Sequence, residues 1–308
     1  MKTDKVISAF IFPGQGPHHA DMLKILKTIP NGGFFLERLK RLRGIDLEEL
    51  IRIKGDDILR ENKIASFATA VFSMTCHRWL QANNYTPQYV AGYSVGQYVA
   101  MWAAEMIADQ QLFEILETRA DLMDEFQAQT GSGAMLAVIG LPTKLVEATC
   151  ESVSFENSRV CVSNYNCEGQ LTLAGHEEAV ARVKEKLIQL KARQVTDVYV
   201  SGAWHCFMQI GVAKSFRKYL ETVVFSPAKL MVLDNTNGEP LPDNHQELVN
   251  HLQKHLYLPV RWRDCVKTLL QYDVVRFIEV GYGNMLCKYG MFIDRSVKHV
   301  AVSNLIQE

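Results

Sequence analysis

The segment VAGYSVGQYVAMWAAEM, residues 90–106, places a serine between two glycines at a change of pattern. A short apolar run leads into the pentapeptide Gly-Tyr-Ser-Val-Gly, and an apolar stretch without proline follows it. We therefore predict a short buried strand over 89–94 and a helix over 95–104. Because glycines lack Cβ atoms, the chain can turn sharply between the two elements and present the hydroxyl of Ser94 at the sheet edge. The pattern favours a nucleophilic serine over its alternative, a glycine-rich turn with a capping serine.

A nucleophilic serine needs a base and a group that stabilises an oxyanion. Among nine histidines, His205 stands out because VSGAWHCFM (200–208) places it where a predicted strand ends, although a buried structural histidine would fit the same pattern. The backbone N–H of Val95, at the start of the predicted helix, is placed to face an oxyanion. FPGQG (12–16) follows another predicted strand and offers either a second oxyanion donor or a phosphate cradle. Phosphate is the poorer interpretation because the segment lacks the Lys-Ser/Thr of a P-loop.

Bulk composition excludes several classes of function. The chain has 308 residues, 48% of them hydrophobic, and a formal net charge of −1, so no strong field is directed at nucleic acid or a membrane. No apolar window is long enough to span a bilayer. Seven cysteines without regular spacing argue against a disulfide framework, and no Cys-x-x-Cys pair suggests structural zinc. We expect a soluble, reduced, cytoplasmic enzyme with no metal site.

The order of predicted elements indicates an α/β protein with an insertion. The pattern over 132–203 predicts strand, helix, strand, strand, helix and a last strand at 195–201, which is the order of a ferredoxin-like unit. We therefore predict a small ferredoxin-like subdomain over 132–203, inserted into a larger subdomain formed by 1–131 and 204–308. Outside the insertion, we predict helices at 20–29, 34–43, 46–52, 62–83, 109–128 and 244–256, and strands at 5–16, 229–235 and 275–281.

Eight ordered blocks carry a resemblance to a known family: FPGQG, GYSVG, TRADLM, GSGAMLAVIGL, NYNCEGQ, GAWHC, HLYLPVRW and IEVGYGNML. Together they resemble the malonyl-CoA:acyl-carrier-protein transacylase family and the acyltransferase domains of polyketide synthases. The resemblance covers nearly the whole chain. It implies an α/β-hydrolase-like core with an inserted ferredoxin-like small subdomain, which agrees with the element order above.

The resemblance also implies a catalytic set. Ser94 matches the family nucleophile, and His205 matches the histidine that takes its proton. Gln15 and Val95 match the two residues whose N–H groups form the oxyanion hole. His255 matches the residue whose backbone carbonyl orients the catalytic histidine, so we expect its side chain to matter little.

Four further positions are expected to contact the substrate. Arg119 matches the arginine that grips the free carboxylate of a malonyl group, a task that suits a planar guanidinium, although a helix-surface arginine would fit the sequence equally well. Asn166 matches an asparagine near the acyl group. Tyr93 replaces the usual histidine beside the nucleophile, as in the acyltransferase subunits of malonate decarboxylases. Trp204 stands where phenylalanine or serine is usual, which disfavours a branched acyl group.

We therefore expect a monomeric acyltransferase that moves a malonyl-type group from CoA to the phosphopantetheine thiol of an acyl carrier protein, without a metal or redox cofactor. An acidic carrier protein would require a basic patch, for which 38–44 and 182–193 are candidates. Two alternatives remain from the sequence: a hydrolase that clears acyl groups from carrier proteins, and a catalytically silent scaffold. The presence of Arg119 argues against the hydrolase, and the intact catalytic set argues against the scaffold.

Overall fold

The computed structural model describes residues 6–16, 19–131 and 133–307. Its strands are β1 (Ser8–Phe12), β2 (Tyr89–Gly92), β3 (Ala134–Ile139), β4 (Val160–Cys167), β5 (Gln170–Gly175), β6 (Gln194–Asp197), β7 (Met231–Leu233), β8 (Arg276–Glu279) and β9 (Lys298–Ala301). Its α-helices are α1 (Asp21–Thr28), α2 (Phe34–Arg43), α3 (Leu47–Lys54), α4 (Asn62–Ala82), α5 (Gly96–Ala103), α6 (Asp109–Thr130), α7 (Thr143–Ser152), α8 (Glu177–Gln189), α9 (Ile210–Leu220), α10 (His245–Lys254), α11 (Trp262–Gln271), α12 (Met285–Ile293) and α13 (Val302–Ile306).

Five strands form a parallel sheet in the order β7-β2-β1-β8-β9. The central strand, β1, is buried along its whole length, as expected for a parallel sheet covered by helices on both faces. The carboxyl ends of parallel strands meet at one edge, and β1 and β2 each lead there into a glycine-rich turn. This edge therefore brings FPGQG and GYSVG together.

The other four strands form an antiparallel sheet in the order β4-β5-β3-β6. Helices α7 and α8 pack on this sheet and enclose a separate apolar core. The predicted α/β class, with a parallel sheet and a distinct antiparallel sheet, is confirmed. The division of the chain at 132 and 203 stays a prediction, and Ser132 lies outside the described residues.

The two sheets share a boundary near the carboxyl end of β4. The backbone N–H of Tyr165 donates to the carbonyl of Val260 at 2.8 Å, and the N–H of Val260 donates to the carbonyl of Ser163 at 2.8 Å. Cys167 belongs to the same apolar cluster as Ile11 of the parallel sheet. Strand β4 is therefore fixed against the larger sheet next to the turn that carries Ser94.

The last strand of the small sheet is shorter than predicted. We expected a strand over 195–201, but β6 ends at Asp197, and an irregular segment continues from 198 to 206. Among the described residues, no helix has the length and apolar character needed to cross a membrane.

Candidate active site

The turn after β2 can be built only with glycines at both ends. A Cβ atom on Gly92 would lie 2.1 Å from the carbonyl carbon of Gly96, and one on Gly96 would lie 2.3 Å from the carbonyl oxygen of Phe12. Between them, Ser94 has a φ of 52°, in the left-handed region that few non-glycine residues adopt. Such strain is held at functional sites by the surrounding packing. The sequence thus produces a strained turn that exposes one hydroxyl.

The structure brings Ser94 and His205 together. The Oγ atom of Ser94 lies 2.7 Å from Nε2 of His205, which follows the irregular segment after β6. On the other side of the ring, Nδ1 lies 2.9 Å from the backbone carbonyl oxygen of His255. A carbonyl only accepts hydrogen bonds, so Nδ1 carries the proton and donates it. Nε2 is then left as the acceptor for the Ser94 hydroxyl, which is the tautomer that a general base requires.

The imidazole of His205 is held in its neutral form. Burial lowers its pKa to about 3, and the positive charge of Arg119 acts in the same direction. His205 itself has a φ of 56°, so both members of the pair have left-handed backbone conformations. A neutral, oriented imidazole beside a hydroxyl can take a proton from it when an electrophile arrives.

The Gly-Gln-Gly turn after β1 packs directly on the elbow. A Cβ atom on Gly14 would lie 2.8 Å from the carbonyl oxygen of Tyr93 and 3.2 Å from Cβ of Ser94. Gln15 follows at once, which puts it beside the serine. Val95 precedes helix α5, and no hydrogen bond from its backbone N–H is found in residues 6–16, 19–131 and 133–307. The location of both residues is compatible with an oxyanion hole.

Arg119 is a buried cation that forms no salt bridge with a carboxylate in the described part of the chain. Only 3% of this residue of helix α6 is exposed, and its Nε atom lacks an acceptor among the described residues. Burial lowers the pKa of Arg119, whereas the nearby Tyr98 hydroxyl and the Asp124 carboxylate favour its charged form. A guanidinium remains protonated in proteins. A buried cation with no carboxylate bonded to it is unfavourable, so this position favours binding of an anion.

Tyr93 and Asn166 connect the elbow to the small sheet. The hydroxyl of Tyr93 donates to Oδ1 of Asn166 at 2.8 Å, and both residues are buried. The Nδ2 group of Asn166 lies 3.3 Å from the hydroxyl of Thr172 on strand β5. The Tyr93 ring packs edge-on against Trp262, with ring centroids 5.8 Å apart. These contacts give Tyr93 and Asn166 a role in joining the two sheets, whether or not they also touch an acyl group.

Trp204 lies against its own chain next to the base. The residue is 6% exposed, and a Cβ atom on Gly202 would lie 2.6 Å from Cη2 of its indole. Trp204 belongs to the main apolar cluster together with its neighbours Ala203 and Cys206. The indole therefore packs against the segment that leads to His205.

The structure adds a residue that sequence patterns did not single out. The hydroxyl of Tyr98 lies 3.2 Å from Nδ1 of His255, and the two rings meet edge-on. Tyr98 also lies close enough to Arg119 for that cation to favour its ionised form, although burial raises its pKa overall. Tyr98 lies in the first turn of helix α5, four positions after Ser94, and no local sequence pattern marks it as a site residue. The side chain of His255, expected to matter little, is thus packed into the site.

The two candidate basic patches differ. In the first, Arg38, Lys40 and Arg43 form ion pairs inside the chain, with Asp109, Asp46, Glu114 and Glu117 as partners. In the second, Arg182 and Lys184 are also engaged. Its other basic residues, Lys186, Lys191 and Arg193, are exposed. The second segment therefore presents more accessible positive charge.

A cavity of about 570 Å³ opens between α4, α6 and the irregular segment that leads to His205. Its lining includes Asn62, Asp124 and Ser201. Asn62 contacts Gln15, so the cavity lies next to the turn that packs on Ser94. Ser94, His205 and Arg119 are not among its lining residues.

The parallel α/β sheet, the strained elbow and the oriented serine–histidine pair define a class, the serine-dependent acyl-transfer enzymes and hydrolases. A comparison with known families separates these two. The chain belongs to the acyl transferase domain family, whose sequence model matches residues 9–302. The family resemblance inferred from the eight motifs is confirmed, and the protein is an acyltransferase.

Curated relatives and solved structures agree with this assignment. The chain is 28% identical over 299 residues to a malonyl CoA-acyl carrier protein transacylase of Staphylococcus aureus strain MSSA476, covering 97% of this chain and 96% of the relative. It is 26% identical over 298 residues to the protein of that name from Bacillus subtilis strain 168, covering 96% and 93%.

Two solved structures superimpose over nearly the whole chain. One is a malonyl-transacylase in complex with its type II polyketide-synthase acyl-carrier protein, with a TM-score of 0.90, 27% identity and coverage of 96% of this chain and 95% of that one. The other is the malonyl CoA-acyl carrier protein transacylase of Coxiella burnetii, with a TM-score of 0.90, 26% identity and coverage of 98% and 96%.

Proposed function

We propose that this acyltransferase moves a malonyl group from CoA to the phosphopantetheine thiol of an acyl carrier protein through an ester on Ser94. One observation carries the proposal: a buried arginine that forms no salt bridge among the described residues lies beside an oriented serine–histidine pair. A malonyl thioester supplies both an electrophilic carbonyl for Ser94 and a carboxylate for Arg119. The names of the relatives support the same substrate pair.

The first half-reaction forms the ester. Nε2 of His205 accepts the proton of the Ser94 hydroxyl as Oγ attacks the thioester carbonyl carbon. The resulting oxyanion accepts hydrogen bonds from the backbone N–H groups of Gln15 and Val95. The carbon–sulfur bond then breaks, and the proton on His205 passes to the sulfur of CoA. The carbonyl of His255 keeps the imidazole in place during this exchange.

The second half-reaction reverses the roles. The carrier-bound thiol gives its proton to Nε2 of His205, and its sulfur attacks the ester carbon. Ser94 leaves and recovers the proton, so the enzyme returns to its starting state. Because the thioester is already an activated acyl group, neither half-reaction needs a metal or redox cofactor.

The carrier protein requires a surface near the site. The exposed cations of 186–193 lie shortly before the segment 198–204, which leads directly to His205. This location and their charge support a docking role toward an acidic carrier protein. We further propose, as the sequence predicts, that the chain acts as a monomer and works in the cytoplasm.

The test is the mass of the intact protein after brief exposure to malonyl-CoA. The parent should gain one malonyl mass, on the peptide that contains Ser94, and Ser94→Ala should gain none. Addition of phosphopantetheinylated carrier protein should then discharge the ester and load the carrier. Labelling of Ser94→Ala at the parental level would refute the assignment of the nucleophile.

A hydrolase that edits carrier proteins would form the same ester, so its decay distinguishes the two activities. Trp204, the residue before His205, is buried and packs on Gly202, and an anchored carboxylate would hold the acyl group away from water. We therefore expect the malonyl enzyme to survive many turnover times in buffer and to discharge quickly when carrier protein is added. Equally fast decay in buffer alone would favour the hydrolase.

A further inference from the structure

The side chain of Gln15 is tethered to the start of helix α4. Its Nε2 group lies 2.9 Å from the backbone carbonyl oxygen of Asn62, 2.9 Å from Oδ1 of the same residue and 2.8 Å from the hydroxyl of Ser66. Asn62 is 3% exposed and Ser66 is fully buried. Three acceptors thus surround one amide nitrogen in a place where water has little access.

The orientation of the Asn62 amide is fixed from its other end. Its Nδ2 group donates to Oδ1 of Asp124 on helix α6 at 3.0 Å. A carboxylate is an acceptor, so it selects the nitrogen end of the amide and turns Oδ1 toward Gln15. The hydroxyl of Ser66 donates to the carbonyl of Asn62 at 2.8 Å, which leaves its lone pairs available to Gln15.

We propose that Asn62 is a positioning residue for the oxyanion hole: it holds the side chain of Gln15 so that the backbone N–H of Gln15 stays aimed at the reacting carbonyl, while Asp124 fixes Asn62. This inference rests on the proposed role of Gln15 in the reaction. Gln15 lies in the turn after β1, so it lacks the ladder of hydrogen bonds that fixes a strand. The tether supplies the missing restraint from α4 and α6.

The restraint has a defined consequence for rate. An oxyanion donor works only if it is fixed about 3 Å from the position of the developing charge, and loss of one donor lowers kcat by roughly 10²–10³-fold. Asn62 also lines the cavity beside the site, yet the three contacts direct its polar atoms to Gln15 and Asp124. Its loss should therefore affect transition-state stabilisation for every thioester and not the recognition of one acyl group.

The experiment compares Asn62→Ala with the parent, using the rate of Ser94 acylation at saturating malonyl-CoA and at saturating acetyl-CoA. We expect a loss of about 30–300-fold with both thioesters, with KM unchanged within about threefold. Asn83→Ala, at the exposed far end of the same helix, is the matched control and should acylate like the parent. Asp124→Ala should lose about tenfold, and Asp124→Asn should recover most of that loss because it retains an acceptor.

Two results would overturn the inference: acylation by Asn62→Ala within threefold of the parent, or a loss confined to malonyl-CoA, which would place Asn62 in recognition of the carboxylate. If Asn62→Ala does not fold, Ser66→Ala is the deciding variant, and its rate of Ser94 acylation should fall about fivefold. An unchanged rate would then refute the inference. Absence of a malonyl ester on the parent would instead refute the proposed function, so the two failures can be told apart.

Discussion

At the scale of the residue, the surroundings of Arg119 give the clearest indication of the chemical group that binds in the site. It lies in the interior with no carboxylate paired to it among the described residues. Burial is the main cause that lowers the pKa of His205 and of His255, and the charge of Arg119 lowers both pKa values further. A substrate carboxylate bound there would neutralise this charge at the moment when His205 must accept a proton.

We predict that Arg119→Ala separates malonyl from acetyl transfer. Loss of a partner from a buried ion pair costs about 2–5 kcal/mol, so malonyl transfer should fall by roughly 30-fold or more, while acetyl transfer is kept or increased. The measurement is kcat/KM for both CoA esters. Arg119→Lys is the matched control, because it keeps the charge but loses the two parallel hydrogen bonds of a guanidinium. Its kcat/KM for malonyl-CoA should lie between those of the parent and of Arg119→Ala. Equal losses with both substrates would indicate a structural role.

We also predict that the side chain of His255 matters. Its ring is buried against Tyr98, whose hydroxyl lies 3.2 Å from Nδ1, and the backbone carbonyl of the same residue orients His205. Tyr98→Phe and His255→Leu should each loosen this carbonyl and lower kcat about three- to tenfold with little change in KM. His255→Gln retains a polar group for Tyr98 and should stay near the parent. Parental kcat in His255→Leu would show that only the backbone of this residue is used.

The sequence located Ser94 and His205 because each lies at a junction with a recognisable pattern, and the structure places them 2.7 Å apart. It could not locate Tyr98, Asn62 or Asp124 as part of the site. These residues act through contacts between helices that are distant in sequence, and their positions look like ordinary helix positions. A residue that positions another residue leaves no local pattern.

At the scale of the element, the two glycine-rich turns fit together with almost no spare volume. Gly14 lies against the backbone of Tyr93, whereas a Cβ atom on Gly16 would meet no heavy atom of the described residues within 4 Å. Gly16 also has no positive φ. Packing therefore requires a glycine at position 14 but not at position 16.

We predict that Gly14→Ala lowers the free energy of unfolding by about 1–3 kcal/mol, since its Cβ would lie 2.8 Å from a backbone oxygen and the turn would have to move. It should also slow acylation of Ser94. Gly16→Ala is the internal control and should change stability by less than about 0.5 kcal/mol. Denaturant unfolding followed by circular dichroism measures both. Similar stabilities for the two variants would contradict the packing argument.

The ends of most elements were predicted within a few residues, because long apolar periodicity can be recognised in the sequence without knowledge of tertiary contacts. Helix α4 was expected at 62–83 and spans Asn62–Ala82. The strand expected at 195–201 ends at Asp197, although β3 continues to Ala134 and its Met135 carbonyl still accepts a bond from the N–H of Val198. Beyond that point the chain bonds to helix α6, where Gln127 donates to the carbonyl of Ser201, a contact that is not visible in the local sequence. Helices α9, α11 and α12 were not predicted.

At the scale of the whole molecule, buried histidines connect stability to pH. Burial lowers the pKa of His77 to about 4 and that of His205 to about 3. In the unfolded chain each would titrate near the ordinary value of 6.5. Between these values the unfolded state binds a proton that the folded state does not, so stability is fully present above about pH 6.5 and declines as the pH falls. His251 acts in the opposite sense, because its bond to Asp234 raises its pKa.

We predict that His77→Gln weakens the acid sensitivity of the fold. His77 packs against Phe10, Phe12 and Trp102, away from Ser94, and its Nδ1 atom has no partner in the described part of the chain. Between pH 6 and pH 4.5, its removal should reduce the slope of unfolding free energy against pH by about 1.4 kcal/mol per unit. Denaturant titrations at several pH values test this difference against the parent. An unchanged slope would show that His77 is protonated in the folded state.

The position of β1 in the sheet also has a consequence for the nascent chain during translation. This strand leaves the ribosome long before one of its two neighbours, β8, so that Ser8 must wait for Arg276 before that edge is paired. Until β8 has been synthesised, the nascent chain therefore exposes an apolar, unpaired edge, which is the kind of surface that chaperones bind and that aggregates. Slow elongation before residue 276 should lower the yield of active enzyme without any change in the amino-acid sequence.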